Sequence, residues 1–128
     1  MKTLSGLALA LMASVASPAM ALDVTGTWQL DAQFADGWFS HPVCNFQQSG
    51  SKIAGSCSGP SYLGPVVGAV SGTSVQLEWD ATTTAAPGPG TEARVRAMLS
   101  GMQSPDGVIR GTGKDNNNAT GSFTLTKK

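Results

Sequence analysis

The residues able to do chemistry are few. Cys44 and Cys57 are the only cysteines, His41 is the only histidine, and the eight carboxylates, Asp23, Asp31, Asp36, Glu78, Asp80, Glu92, Asp106 and Asp115, are scattered along the chain. The thiols bracket the stretch CNFQQSGSKIAGSC, a spacing unlike the CxxC of redox and zinc sites. A lone His before Pro42 leaves a metal ion to carboxylates, and any Ser/His/Asp arrangement would depend on that one loop residue. The carboxylates fall mostly at turns or outward strand positions, so none pairs as acid and base. The expectation is a non-enzyme with no catalytic residue, no metal and no cofactor. The thiols are left with one chemistry, a disulfide.

A disulfide needs elements that bring its halves together, and the intervening residues supply them. With Gly50-Ser51 as a two-residue type II′ turn, Ser49 faces Lys52, Gln48 faces Ile53, Phe46 faces Gly55, and Cys44 faces Cys57. If Ser49 and Lys52 are a hydrogen-bonded pair, the cysteines occupy a non-hydrogen-bonded site, where side chains stand close enough to bond. Closing a loop of this size contributes about 3 kcal/mol in the chain-entropy model. Phe46 and Ile53 share the cysteines' face, so that face turns inward.

The same counting extends along the chain. A Gly72-Thr73 turn pairs Val70 with Val75, Gly68 with Leu77, and Val66 with Trp79. Pro105-Asp106-Gly107 suits a type I turn followed by a glycine bulge, and aligns Leu99 with Gly113 and Gly101 with Gly111, with Ile109 on the same face. Val95, Ala97 and Leu99 then point inward, and Arg94, Arg96 and Met98 outward. VTGTWQLDAQF alternates with period two and places Trp28, Leu30 and Phe34 on one side. Phe123 and Leu125 do the same in the last segment. The expected core is Trp28, Leu30, Phe34, Phe46, Ile53, Leu77, Trp79, Leu99, Ile109, Phe123 and Leu125. The expected fold is all-β, a small antiparallel up-and-down barrel of about eight strands. One register does not close: an Asp36-Gly37 turn would set Phe34 opposite Phe39 and Leu30 opposite Val43, turning Phe46 outward. A bulge near His41-Pro42, or a longer first loop, restores agreement.

The N-terminal residues MKTLSGLALALMASVASPAMA have a charged head, an apolar run and a small-residue site at Ala19-Met20-Ala21. They read as a signal peptide over 1–21, followed by a single domain over 22–128 that is periplasmic or secreted. The apolar run is too short for a membrane-spanning helix. An outer-membrane barrel is disfavoured by the scarcity of aromatics and the Lys-Lys end. Acidic and basic residues balance at eight each, so no broad basic field exists to hold nucleic acid. Asn118-Ala119-Thr120 matches a glycosylation acceptor, read more simply as an Asn-rich turn.

Thr25-Gly26-Thr27-Trp28 entering the first strand, the repeated Gly-turn hairpins and the closing Phe123-Thr-Leu-Thr resemble the calycin-like small exported barrels, avidins and lipocalins among them. The pattern also resembles short exported bacterial proteins with no assigned function and, more loosely, exported inhibitors of bacterial metalloproteases. The avidin resemblance implies biotin binding, but Gln29 and Asp31 follow the Trp here, and biotin is not carried over. Contact with something else is expected at the loops, where Trp38, Phe39 and His41, and then Tyr62 and Leu63, sit beside turns. A binding or interaction module is expected, its alternatives being a carrier of a small apolar ligand at one barrel end and a protease inhibitor. The inward small residues, Gly26, Ala32, Gly55, Gly68, Gly111 and Gly113, predict a narrow, filled barrel and favour interaction over carriage.

Overall fold

The computed structural model describes residues 22–37, 39–83 and 94–128. The expected leader over 1–21, Trp38 and the Pro- and Gly-rich connection over 84–93 lie outside the described residues. Among the described residues nine antiparallel strands follow one another: β1 (Gly26–Phe34), β2 (Phe39–Ser40), β3 (Val43–Ser49), β4 (Lys52–Ser58), β5 (Tyr62–Ser71), β6 (Ser74–Thr83), β7 (Arg94–Gln103), β8 (Ile109–Asp115) and β9 (Thr120–Lys127). Each pairs with the next, except that β2 and β3 lie along the same edge of β1, two pieces of one strand. The other edge of β1 pairs with β9 from Trp28 opposite Lys127 to Phe34 opposite Gly121, which closes the sheet into a barrel of eight staves.

The hairpin registers follow from their turns. Gly50 and Gly72 have φ of 61° and 62°, while neither Ser51 nor Thr73 takes a positive φ, the signature of type II′ turns. Ser49 therefore pairs with Lys52 and Cys44 with Cys57, and Val70 pairs with Val75 and Val66 with Trp79. The Cys44 and Cys57 Cα atoms stand 4.0 Å apart and the sulfurs are bonded. Between β7 and β8, Gly107 N donates to Ser104 O (2.8 Å) and Gly107 has φ 88°, the turn and glycine bulge expected there.

The strand β1 resolves the register that did not close. Gln33, not Phe34, faces Phe39, and the same alignment continues through Ala32–Ser40 to Gln29–Val43 and Trp28–Cys44. The first loop is longer by one residue, and the two pieces of strand need no bulge at His41-Pro42. Phe34 is held back by its other side: it is buried, Ala35 N donates to Thr120 O (2.8 Å), and Gly37 N turns back onto Phe34 O (3.0 Å). Leu30 N donates to Pro42 O at 3.0 Å, but proline has no amide to return. The Gln29 side-chain amide stands in for it, its hydrogens shared among the carbonyls of Leu30 (3.2 Å), His41 (3.1 Å) and Pro42 (3.3 Å).

All eleven expected core residues are buried, Trp28 and Trp79 among the largest side chains fully enclosed. The indole N–H of Trp28 donates to Val24 O (2.9 Å) and that of Trp79 to Gly64 O (3.1 Å), so neither ring buries an unpaired donor. The walls come close together at glycine: a Cβ on Gly111 would lie 1.9 Å from Ser100 O on the neighbouring strand. Antiparallel connectivity places the turns at 50–51, 72–73 and 104–108 at one end of the barrel, with both described termini. The connections after Phe34, Ser58 and Asp115 lie at the other.

At the turn end, residues 22–25 fold over the opening and bury Leu22 and Val24. Gly26 makes this possible. Its φ is 132°, and Lys127 Nζ occupies the space a side chain would need, at 3.0 Å. From there the ammonium donates to Thr25 O (3.0 Å) and lies 5.5 Å from the centre of the Trp28 ring, a cation–π contact.

Candidate functional site

Large side chains crowd the interior, and two concavities of the described residues lie on the outer wall. The larger encloses about 1030 Å³ and takes three consecutive residues from each of six adjacent strands. No inward side chain of the opposite wall lines it. It is a trench crossing the strands between two rows of outward side chains, with the backbone of inward residues as its floor. One row is Ala69, Gln76, Ser100, Thr112, Ser122 and Gln33; the other is Val67, Glu78, Met98, Lys114, Thr120 and Ala35.

The trench follows from the sequence pattern. Its floor contains Gly68, Gly113 and Gly121, where the chain carries no side chain on the inner face and a Cβ would meet a neighbouring carbonyl within 2.5 Å. Its rims are short polar residues on one side and longer ones on the other. Val67 is 54% exposed and Met98 52% exposed, among the few large apolar side chains on the surface. Glu78 and Lys114 flank Met98 on neighbouring strands, and Arg96 Nε lies 3.3 Å from Glu78 Oε2.

A second, smaller hollow of about 350 Å³ is lined by Asp31, Gln33, Phe39, Arg110, Ser122 and Thr124, together with Ala32, Gly111 and Phe123. Beside it His41 Nδ1 bonds Asp31 Oδ1 (2.5 Å), and the Phe39 ring meets the His41 ring edge-on, with centroids 4.1 Å apart. Arg110 is held by Asp106 Oδ2 (3.0 Å) and Ser104 Oγ (3.0 Å). That pairing keeps the Asp106 carboxyl below its ordinary value. Among the described residues no group of three or more His, Cys, Asp or Glu side chains could hold a metal ion.

The loop residues singled out in the sequence are dispersed. Phe39 and His41 lie together on the outer wall beside β1, Leu63 also faces outward, and Tyr62 turns in, half-buried against the core. Trp38 lies outside the described residues. Of the remaining four, only Phe39 lines either concavity. The trench residues were not expected as a site, although the registers that set Leu99 opposite Gly113 already placed Met98 opposite Lys114 on the outer face.

Asp115 was also missed as a special position. It is the one charged side chain buried among the described residues, 6% exposed, and sits inside the second end. Its Oδ1 accepts from Asn117 N (2.9 Å) and Ala119 N (3.0 Å), and the Asp36 side chain hydrogen-bonds to it. Loss of water on burial, and then the Asp36 carboxyl beside it, push the Asp115 carboxyl above its ordinary value. The signal was available: Gly111, Gly113 and Asp115 share one parity, so a carboxylate had to point inward.

No protein-family model matches the chain, and no curated protein matches it. Solved structures do, designed β-barrels among them. A redesigned β-barrel aligns with TM-score 0.62 at 16% identity, covering 82% of this chain and 91% of its own. A de novo designed fluorescence-activating β-barrel aligns with TM-score 0.61 at 15% identity, covering 88% of this chain and 100% of its own. A third, a redesigned barrel bound to DFHBI, aligns with TM-score 0.58 at 18% identity, covering 81% of this chain and 94% of its own. At these identities the likeness establishes the small barrel fold.

Proposed function

We propose that this chain is a non-catalytic, exported binding module that meets a macromolecular partner on the outer wall of its barrel. The observation that carries the reading is the pairing of a filled interior with an apolar-rimmed external trench. Trp28, Trp79, Phe46 and Phe123 occupy the space a carrier would keep for its cargo, while Val67 and Met98 stand in water. Export and the removal of residues 1–21 belong to this reading, supported by the charged head, apolar run and small-residue site of the leader. The disulfide suits an oxidising compartment. The calycin resemblance adds a fold precedent through Gly26 and Trp28, without a ligand.

A second reading, a carrier of a small aromatic ligand, is favoured by the designed barrels that bind DFHBI. The two part on a simple titration. An outer-wall module gives no saturable fluorescence with DFHBI, whereas a photo-crosslinking side chain at position 98 captures a polypeptide in the protein's native compartment and one at Thr126 does not. Saturable one-to-one binding of DFHBI that perturbs the buried tryptophans would replace this reading with the carrier.

A further inference from the structure

The order of charges along the trench rim identifies the partner, given the outer-wall reading just made. Across β5 to β9 the rim runs Val67, Glu78, Met98, Lys114, Thr120, each directly opposite the next in the strand register. Met98 stands between an anion on one side and a cation on the other, each one strand spacing away, about 5 Å. A row of this form is complementary to itself when reversed. We propose that the partner is a second copy of this chain, paired about a two-fold axis beside Met98.

In that arrangement the rim of each copy lies antiparallel to the other's and faces it directly. Met98 packs against the partner's Met98 on the axis, Glu78 meets the partner's Lys114, and Lys114 meets the partner's Glu78. The charge contact occurs twice, once on each side of the axis, as a closed two-fold interface requires. The exposed apolar side chains at the centre leave water, and the charges at the flanks fix direction: a parallel arrangement would set Glu78 against Glu78 and Lys114 against Lys114. Two details fit. Lys114 makes no ion pair or side-chain hydrogen bond among the described residues, leaving its ammonium open to a carboxylate from outside. Arg96 Nε, near Glu78 Oε2, orders that carboxylate beside Met98. The opposing row, Ala69, Gln76, Ser100 and Thr112, is uncharged and sets no like charges across the axis.

Sedimentation velocity on the purified chain over a range of concentrations reads the association directly. The wild-type protein is expected to shift from monomer toward twice that mass. Glu78→Lys and Lys114→Glu, each on an outward side chain, should each weaken the dimer about tenfold or more, because each sets like charges face to face across the axis. An equimolar mixture of the two variants should recover association, and the double exchange in one chain should do the same. Recovery excludes misfolding as the cause of the single losses. A monomer at every concentration, or single variants that do not complement each other, overturns the self-pairing and leaves the trench to a different protein. Failure of the outer-wall reading is seen separately, as saturable DFHBI binding that perturbs the buried tryptophans.

Discussion

The two ends of the barrel are closed by different chemistry. At the turn end, residues 22–25 lie across the opening, and Leu22 and Val24 are matched by neutral partners. Leu22 N donates to Gly72 O (3.0 Å) and Val24 N to Gln48 Oε1 (2.8 Å), while Gln48 Nε2 donates to Leu22 O (2.9 Å) and Gly50 O (3.0 Å). The connection end is filled by Tyr62, Ala119 and a carboxyl, Asp115, pressed against a second carboxyl. The staple links the two, since Cys57 is the next-to-last residue of β4 while Cys44 stands opposite Trp28. One end is held by packing, amide clasps and exposed carboxylates below their ordinary value, Asp23 and Asp106, the other by a buried carboxyl above it, Asp115. The difference implies that acid acts on the two ends in opposite directions.

The largest effect tests the first end. Trp28→Ala removes the ring that carries the Val24 contact and the Lys127 cation, and should cost about 3–5 kcal/mol in chemical denaturation. An effect below about 1 kcal/mol would mean that the end plug is not part of the cooperative core. Cys44→Ser comes next and acts on the strand beside that ring, since Cys44 stands opposite Trp28 in the register. It should lower stability by about 3 kcal/mol under oxidising conditions, and should match the wild type once both are fully reduced. Equal midpoints in both conditions would remove the bridge from the account.

Gln48→Ala is smaller and sharpens the contrast. The Gln48 side chain accepts from one main-chain amide and donates to two carbonyls, so its loss leaves Val24 N, itself on a buried residue, without this acceptor. The cost should be about 1–2 kcal/mol. Because no group in the clasp titrates, the cost measured by thermal melts should be the same at pH 4 and pH 7. A cost that changes with pH would bring the Asp23 carboxylate, between Leu22 and Val24, into the clasp.

What the sequence made legible divides along the same line. The hairpins could be read because Gly-Ser and Gly-Thr turns fix register at two residues, and every pair counted outward from Gly50 or Gly72 falls where expected. The β1–β2 connection could not be fixed in the same way, because its register depended on whether Phe34 followed β2 or β9, and it followed β9. The trench was hidden for a related reason. It is made of rows running across strands, whose members are far apart in sequence, and it exists only once the registers are joined. Phe39 and Tyr62 drew attention by residue type, but parity sent them to opposite faces of the wall.

The smallest expected effect decides whether the titrating end is real, and its sign can be worked out in advance. The Asp115 carboxyl is raised in the folded barrel, so the native state holds that proton more tightly than the unfolded chain does. Its contribution is therefore complete below the ordinary carboxylate value, near about 4, and is lost as pH rises through the folded value. Asp23, Asp80 and Asp106 are lowered and run the other way, each losing its contribution in acid. Asp115→Asn isolates the one term. The amide oxygen still accepts from Asn117 and Ala119, and the new NH2 donates to Asp36 without a proton to lose. Relative to the wild type, Asp115→Asn should gain stability as pH rises from 4 to 7, by up to about 1 kcal/mol for a pair this close to the surface, and show no gain below pH 4. A gain that is largest in acid, or a loss at pH 7, would mean that the buried carboxyl is ionised in the fold and that the connection end is closed by charge.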